Sequence, residues 1–203
     1  SAASELFKGQ GYSVNLGGYV PIAVKGTSDS FQGYNLIAIT RKDSDIKSMS
    51  DLKGKMVAHT SASSNSGNLA PRALFPALGL TPDVDYTVKY SGKHDQSVMG
   101  VLAGDYDAAP VASDVFNRMA AAGRINEDDF RILYTSPRFP TSAFGYAHDL
   151  HPDLVAKINE AFFSFRFSAE MSKTFGGADR FYPVTFKEDW KVIRDIAHAT
   201  GTA

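Results

Sequence analysis

The chain has 203 residues, 43% of them hydrophobic and 21% charged, with a formal net charge of -1. That size and composition suit one or two globular domains able to bury a sizeable core. The near balance of 21 basic and 22 acidic residues leaves no surplus to grip a nucleic acid backbone; no apolar run approaches the roughly 18 residues of a membrane span; and the lack of cysteine removes disulfides, Cys-based zinc sites and thiol nucleophiles together.

Strand-length apolar runs alternate with helix-period segments. Tyr19 to Lys25 and Tyr34 to Arg41, rich in Val and Ile, read as strands, and Lys55 to His59 as a short third. Asn65 to Leu78 reads as a helix with Leu69, Ala73, Leu74 and Leu78 on its buried face, kinked at Pro76 and stopped at Gly79. The pattern repeats with a strand from Tyr86 to Tyr90, a helix from Asp95 to Ala103, a strand from Tyr106 to Val111 and a helix from Ser113 to Ala122. Phe130 to Thr135 and Phe144 to Ala147 are further strands. Pro152 to Phe167 is a helix with Pro at its first position and a stripe of Leu154, Ile158, Ala161, Phe162 and Phe165. Thr185-Phe186-Lys187-Glu188 is a capping box opening a last helix, whose buried face is predicted as Trp190, Ile193, Ile196 and Ala197. This alternation predicts α/β layers with largely parallel sheets.

The richest stretch runs from His59 to Leu69, after a strand and into a helix. Seven of its residues carry small polar side chains: four serines, a threonine and two asparagines. A helix N-terminus has unpaired N–H groups and a partial positive charge. With hydroxyls around it and Gly67 permitting close approach, it makes a site for a phosphate-like anion. A plain cap by Ser64 or Ser66 is the alternative, but one residue would suffice for that. Gly92-Lys93-His94-Asp95-Gln96-Ser97 has the same strand–turn–helix setting. Asp95 or Ser97 could cap its helix, with Ser97 otherwise a surface residue. His94 either donates to an oxyanion at the carboxyl end of the sheet or is an exposed loop histidine.

Other arrangements are weaker. Asp105-Tyr106-Asp107 has no clustered oxygen partners for a divalent metal, so a solvated turn is the reading, and Pro152 prevents His148 and His151 from sharing a helix face. Ser66, His94 and Asp107 have the residue types of a hydrolase triad. However, Ser64 stands where the nucleophile elbow needs glycine, and the usual chain order is broken. No metal, cofactor or catalytic group is expected.

Ser64-Asn65-Ser66-Gly67, then Leu69 and Pro71, Gly92 and His94, Ser97, Val101 and the run Asp105 to Ala109 together resemble the PhnD-like phosphonate/phosphite-binding proteins of ABC importers. Ser136-Pro137, Pro140, His151-Pro152, Arg41 to Ser44 and Asp51 to Lys55 extend the resemblance over most of the chain from Tyr34. It implies a type II periplasmic-binding-protein fold of two lobes, crossed near Tyr34 to Arg41 and near Arg131 to Ala147. Residues 1–36 would belong to lobe one and 37–140 to lobe two, with 141–203 returning to lobe one. The resemblance further implies that the family's opening segment is missing, so the apolar side chains of Tyr19 to Lys25, or of the last helix, are expected to be poorly covered.

The resemblance also implies a binding function with no reaction catalysed, in the periplasm or lipid-anchored on the outer face of the membrane. The ligand is a small phosphorus oxyanion and the partner a membrane permease. Ser64, Asn65, Ser66 and Gly67 would wrap the phosphoryl oxygens and His94 would donate to one of them. Asp114 resembles a carboxylate that meets the amine of aminoalkylphosphonates, whereas Ser142 replaces a second. That favours phosphite or methylphosphonate. A hydrolase built on the serine turn and an extracellular sensor domain of the same fold are the rival readings.

Overall fold

β-Branched and small residues build the strands, and the computed structural model describes residues 18–201. They divide into two compact units. One gathers residues 18–33 and 139–194, the other 34–138 and 195–201.

In the first unit β1 (Tyr19–Gly26) is the central strand of a three-stranded antiparallel sheet. It pairs with β7 (Phe144–Ala147) and β8 (Arg180–Pro183). Paired on both edges, β1 buries Ile22, Ala23 and Val24. The expectation of a poorly covered β1 is therefore overturned, as it is for Ile196 of the last helix. Phenylalanines fill this unit. The Phe181 ring lies 5.0 Å from Phe144, 4.7 Å from Phe162 and 4.9 Å from Phe167, in the tilted and edge-on arrangements aromatic quadrupoles favour. The helix α4 (Pro152–Ser164) contributes Phe162, but Leu154 and Phe165 at the ends of its stripe stay exposed.

After α5 (Ala169–Thr174), the chain before Lys191 closes on a short helix, α6 (Phe186–Asp189), and α7 (Lys191–Thr200) follows after a break at Trp190. Thr185 Oγ1 does cap Glu188 N–H, but the reciprocal acceptor for the Thr185 N–H is Asp189, 2.7 Å away, and not Glu188. Of the face predicted for this helix only Ile196 is buried.

The second unit is a five-stranded sheet. In spatial order its strands are β4 (Thr87–Tyr90), β3 (Met56–His59), β5 (Ala108–Ala112), β2 (Leu36–Arg41) and β6 (Phe130–Thr135). β3 is parallel to β4 and β5, whereas β2 is antiparallel to β5 and β6. Together with the antiparallel sheet of the first unit, this corrects the prediction of largely parallel sheets. Only the strands joined by crossover helices must run parallel; β2, which opens the unit, runs against the other four strands, so its pairings with β5 and β6 are both antiparallel.

Helices α2 (His94–Ala103) and α3 (Ser113–Ala121) bury Val98, Val101, Phe116 and Met119 against Ile37, Ile39 and Val111 of the sheet. The segment from Asn65 is helical as predicted, but in three styles. A π turn covers Asn65–Leu69, α1 is Ala70–Leu74, and a 3-10 turn takes Phe75–Leu78 around Pro76. The wide first turn and tight last turn shift the period. Ala70, Pro71 and Phe75 are buried, Phe75 edge-on to Tyr134 at 5.6 Å, and Leu78 of the predicted face is exposed.

Candidate functional site

Chain direction places the serine turn at the carboxyl end of β3, where a helix begins. Ser64 is its N-cap in extended conformation, and its Oγ accepts from Gly67 N–H at 3.2 Å. The N–H groups of Asn68 and Leu69 both turn back to the Ser64 carbonyl, at 3.0 and 2.9 Å, which widens the turn into its π form. Among the described residues the N–H groups of Asn65 and Ser66 have no acceptor. They are neighbouring donors at the start of a helical segment.

Gly67 is needed here, but for packing and not for a ligand's approach. A Cβ on it would stand 2.1 Å from Thr60 Oγ1 and 2.5 Å from Thr60 Cβ. Its backbone meets Thr60 again through the Thr60 N–H to Gly67 carbonyl bond of 3.1 Å.

Three side chains gather on this turn from elsewhere in the unit. Tyr34 accepts at its hydroxyl from Asn65 Nδ2 at 3.3 Å. Burial raises the Tyr34 pKa, so it stays a neutral phenol. His94 Nδ1 lies 3.1 Å from Thr60 Oγ1 and accepts from the Ala112 N–H at 3.3 Å. With Nδ1 an acceptor, the neutral ring carries its proton on Nε2, as a donor. Burial lowers the His94 pKa, with Asp114 and Asp95 pulling the other way. Asp114 is thus close enough to be felt by both Tyr34 and His94, and it sits 3.8 Å from Arg118.

The predicted residues therefore divide. Ser64, Asn65, Ser66, Gly67, His94 and Asp114 all fall in the second unit, where the first four form the turn and His94 joins it through Thr60. Ser142 lies in the first unit, on an exposed stretch after Thr141, whose hydroxyl donates to the Gln32 carbonyl. Tyr34 was missed: it reads only as a strand start, and the 31 residues separating it from Asn65 give no pattern to follow.

Asn68 belongs to the scaffold of the turn, with its amide bonded to Ala62 and His59. Ser97 is neither cap nor surface. It is fully buried, 2.5 Å from Ser91 Oγ, and α2 starts after Lys93 with no side-chain cap. Asp107 Oδ2 accepts from Met56 N–H at 2.8 Å, which ties two strand ends. His151 caps α4 by accepting from Asp153 N–H. Among the described residues no histidine hydrogen-bonds Ser66.

Known proteins share this fold. PhnD1 from Prochlorococcus marinus, solved with methylphosphonate, superposes with a TM-score of 0.72 at 17% identity, over 94% of this chain and 75% of that one. A Xanthomonas citri protein bound to chloride gives 0.70 at 18%, over 93% and 73%. The binding component of a Pseudomonas aeruginosa ABC phosphonate transporter gives 0.69 at 18%, over 93% and 65%. These likenesses show a type II periplasmic-binding-protein-like α/β fold. Residues 11–190 match the family described as ABC transporter, phosphonate, periplasmic substrate-binding protein. With most of its length matched, the chain belongs to that family: it is a periplasmic, non-catalytic solute-binding protein serving ABC import of a phosphorus oxyanion.

Proposed function

We propose that the Ser64–Gly67 turn holds the phosphoryl oxygens, with neutral donors throughout. The observation that carries this is the pair of adjacent N–H groups, Asn65 and Ser66, which have no acceptor among the described residues and stand beside the Tyr34 hydroxyl. Hydroxyl protons add to them: Ser64 accepts from Gly67 and so still has its own hydrogen to give. His94 supplies Nε2–H from the second turn. Neutral donors bind an anion well when burial has already removed them from water, since hydrogen bonds to charged groups are worth about 1.5–3 kcal/mol.

Asp114 narrows the ligand. A carboxylate beside an anion repels it unless the ligand brings a proton or a cationic group, and Arg118 offsets only part of that charge at 3.8 Å. Ser142, standing where a second amine-binding carboxylate is expected from the resemblance, favours phosphite or methylphosphonate over an aminoalkylphosphonate. The bound protein would then deliver its ligand to a membrane permease.

The test is calorimetry against phosphate, phosphite, methylphosphonate and 2-aminoethylphosphonate. Binding of phosphite or methylphosphonate at micromolar strength, about -8 kcal/mol, is expected. Ser66→Ala should weaken it ten- to hundredfold. Asp114→Asn should tighten phosphate relative to methylphosphonate. Affinity unchanged in both Ser66→Ala and His94→Ala would remove the turn from the site.

A further inference from the structure

The anion turn hangs on a buried hydrogen-bond chain that touches no candidate ligand group. His59 ends β3 with its side chain fully buried. Its Nδ1 lies 2.8 Å from Asn68 Oδ1 and its Nε2 lies 3.0 Å from the Tyr86 hydroxyl. Asn68 Oδ1 also accepts from Arg72 Nε at 3.0 Å, and Arg72 is fixed by Asp83 at 2.8 Å. The other end of the same amide, Nδ2, donates to the Ala62 carbonyl at 2.8 Å, in the middle of the turn.

These contacts leave one proton arrangement. Arg72 can only donate, so the atom it meets is the amide oxygen. His59 must then donate from Nδ1, and Nε2 must accept from Tyr86 O–H. Every member is satisfied, and the direction of each bond is set by its neighbour. Burial holds the His59 pKa down at about 4, so the neutral ring and its Nδ1–H persist across ordinary pH.

We infer that His59 and Asn68 are positioning residues for anion binding: the imidazole Nδ1–H fixes the Asn68 amide, and the amide holds the Ala62 carbonyl so that the turn stays formed before the ligand arrives. This rests on the reading of the turn as the anion site. Its consequence is that geometry at one nitrogen of His59, and not its bulk, governs affinity.

Two substitutions separate the nitrogens. In His59→Asn the amide nitrogen falls near the place of Nδ1 and can still donate to Asn68. In His59→Gln it falls near Nε2, keeping the reach to Tyr86 and losing Asn68. Both remove ring volume, so both lower the melting temperature. Titration with methylphosphonate and phosphite should find His59→Asn within about threefold of the unaltered protein, and His59→Gln and Asn68→Ala weaker by tenfold or more. Equal affinities in the Asn and Gln variants would overturn the inference. Should a variant fail to fold, nitrogen NMR of the unaltered protein decides it: His59 must show the Nδ1–H tautomer, and the Nε2–H tautomer would overturn it. No binding of either anion by the unaltered protein would overturn the anion-turn reading and this inference with it, whereas normal binding with indistinguishable His59 variants sinks the inference alone.

Discussion

Two strand–turn–helix connections stand side by side in the second unit, and they use histidine in opposite ways. The turn after β3 begins with His59, held at both ring nitrogens by Asn68 and Tyr86. The turn after β4 carries His94, whose Nδ1 meets Thr60 Oγ1 and the Ala112 N–H, and among the described residues its Nε2 has no hydrogen-bond partner. Burial depresses both pKa values, so both rings are neutral. The contrast shows how a polar stretch assigns its roles: a side chain with all its hydrogen-bonding capacity taken up inside the protein holds shape, whereas one with a donor in reserve can meet a ligand.

The sharpest way to separate them is acid. The unfolded His59 takes up a proton near its ordinary 6.5, but the folded protein refuses it until about 4. Between those values the unfolded chain binds more protons, so stability is fully present above 6.5 and is lost as pH falls towards 4. The span corresponds to about 3 kcal/mol at most. Melting temperature measured from pH 7 to 4 should fall more steeply in the unaltered protein than in His59→Asn. Parallel profiles would mean that His59 is not buried neutral.

Gly67→Ala attacks the joint between the turns. The added methyl overlaps Thr60, whose hydroxyl meets His94, so the cost is overpacking of about 1–3 kcal/mol together with loss of anion binding. A Gly67→Ala protein with native stability and affinity would show that the close approach of Thr60 can relax freely.

His94→Ala should do the reverse of a His59 change. Affinity for methylphosphonate drops ten- to hundredfold, the value of a donor to a charged group of about 1.5–3 kcal/mol, and stability changes little. A large loss of stability with unchanged affinity would move His94 into the scaffold beside His59.

What the sequence disclosed follows from the same contrast. Local features were legible: the polar turn between β3 and a helix, Ser64 beside it, Pro76 tightening the last turn, Thr185 capping α6. Their causes act within four or five residues of chain. The contacts of Tyr34 with Asn65 and of Thr60 with His94 were not legible because the partners lie 31 and 34 residues apart, and topology alone joins them. Asn68 counts in the sequence only as one of the small polar residues of the stretch, since nothing local shows that its amide turns to Ala62 and His59. Strand and helix alternation is visible in one dimension and predicts parallel sheets, whereas the reversed sense of β2 is not visible there.

Ser97 gives the smallest effect and the finest division between the turns. It lies next to His94's helix start, yet its hydroxyl is buried against Ser91 Oγ at 2.5 Å and reaches the Lys93 carbonyl at 3.3 Å. Ser97→Ala removes that hydroxyl without stranding its partner, because Ser91 Oγ still reaches the His59 and Lys93 carbonyls at 3.3 and 3.2 Å. The cost should therefore be that of one ordinary buried hydrogen bond, about 1 kcal/mol. In a unit of this size that is a few degrees of melting temperature. Anion affinity should stay within about twofold, since no atom of Ser97 is exposed to a ligand. A tenfold loss of affinity with unchanged melting temperature would place Ser97 on the ligand side of the turn and dissolve the distinction between a satisfied side chain and one with a donor in reserve.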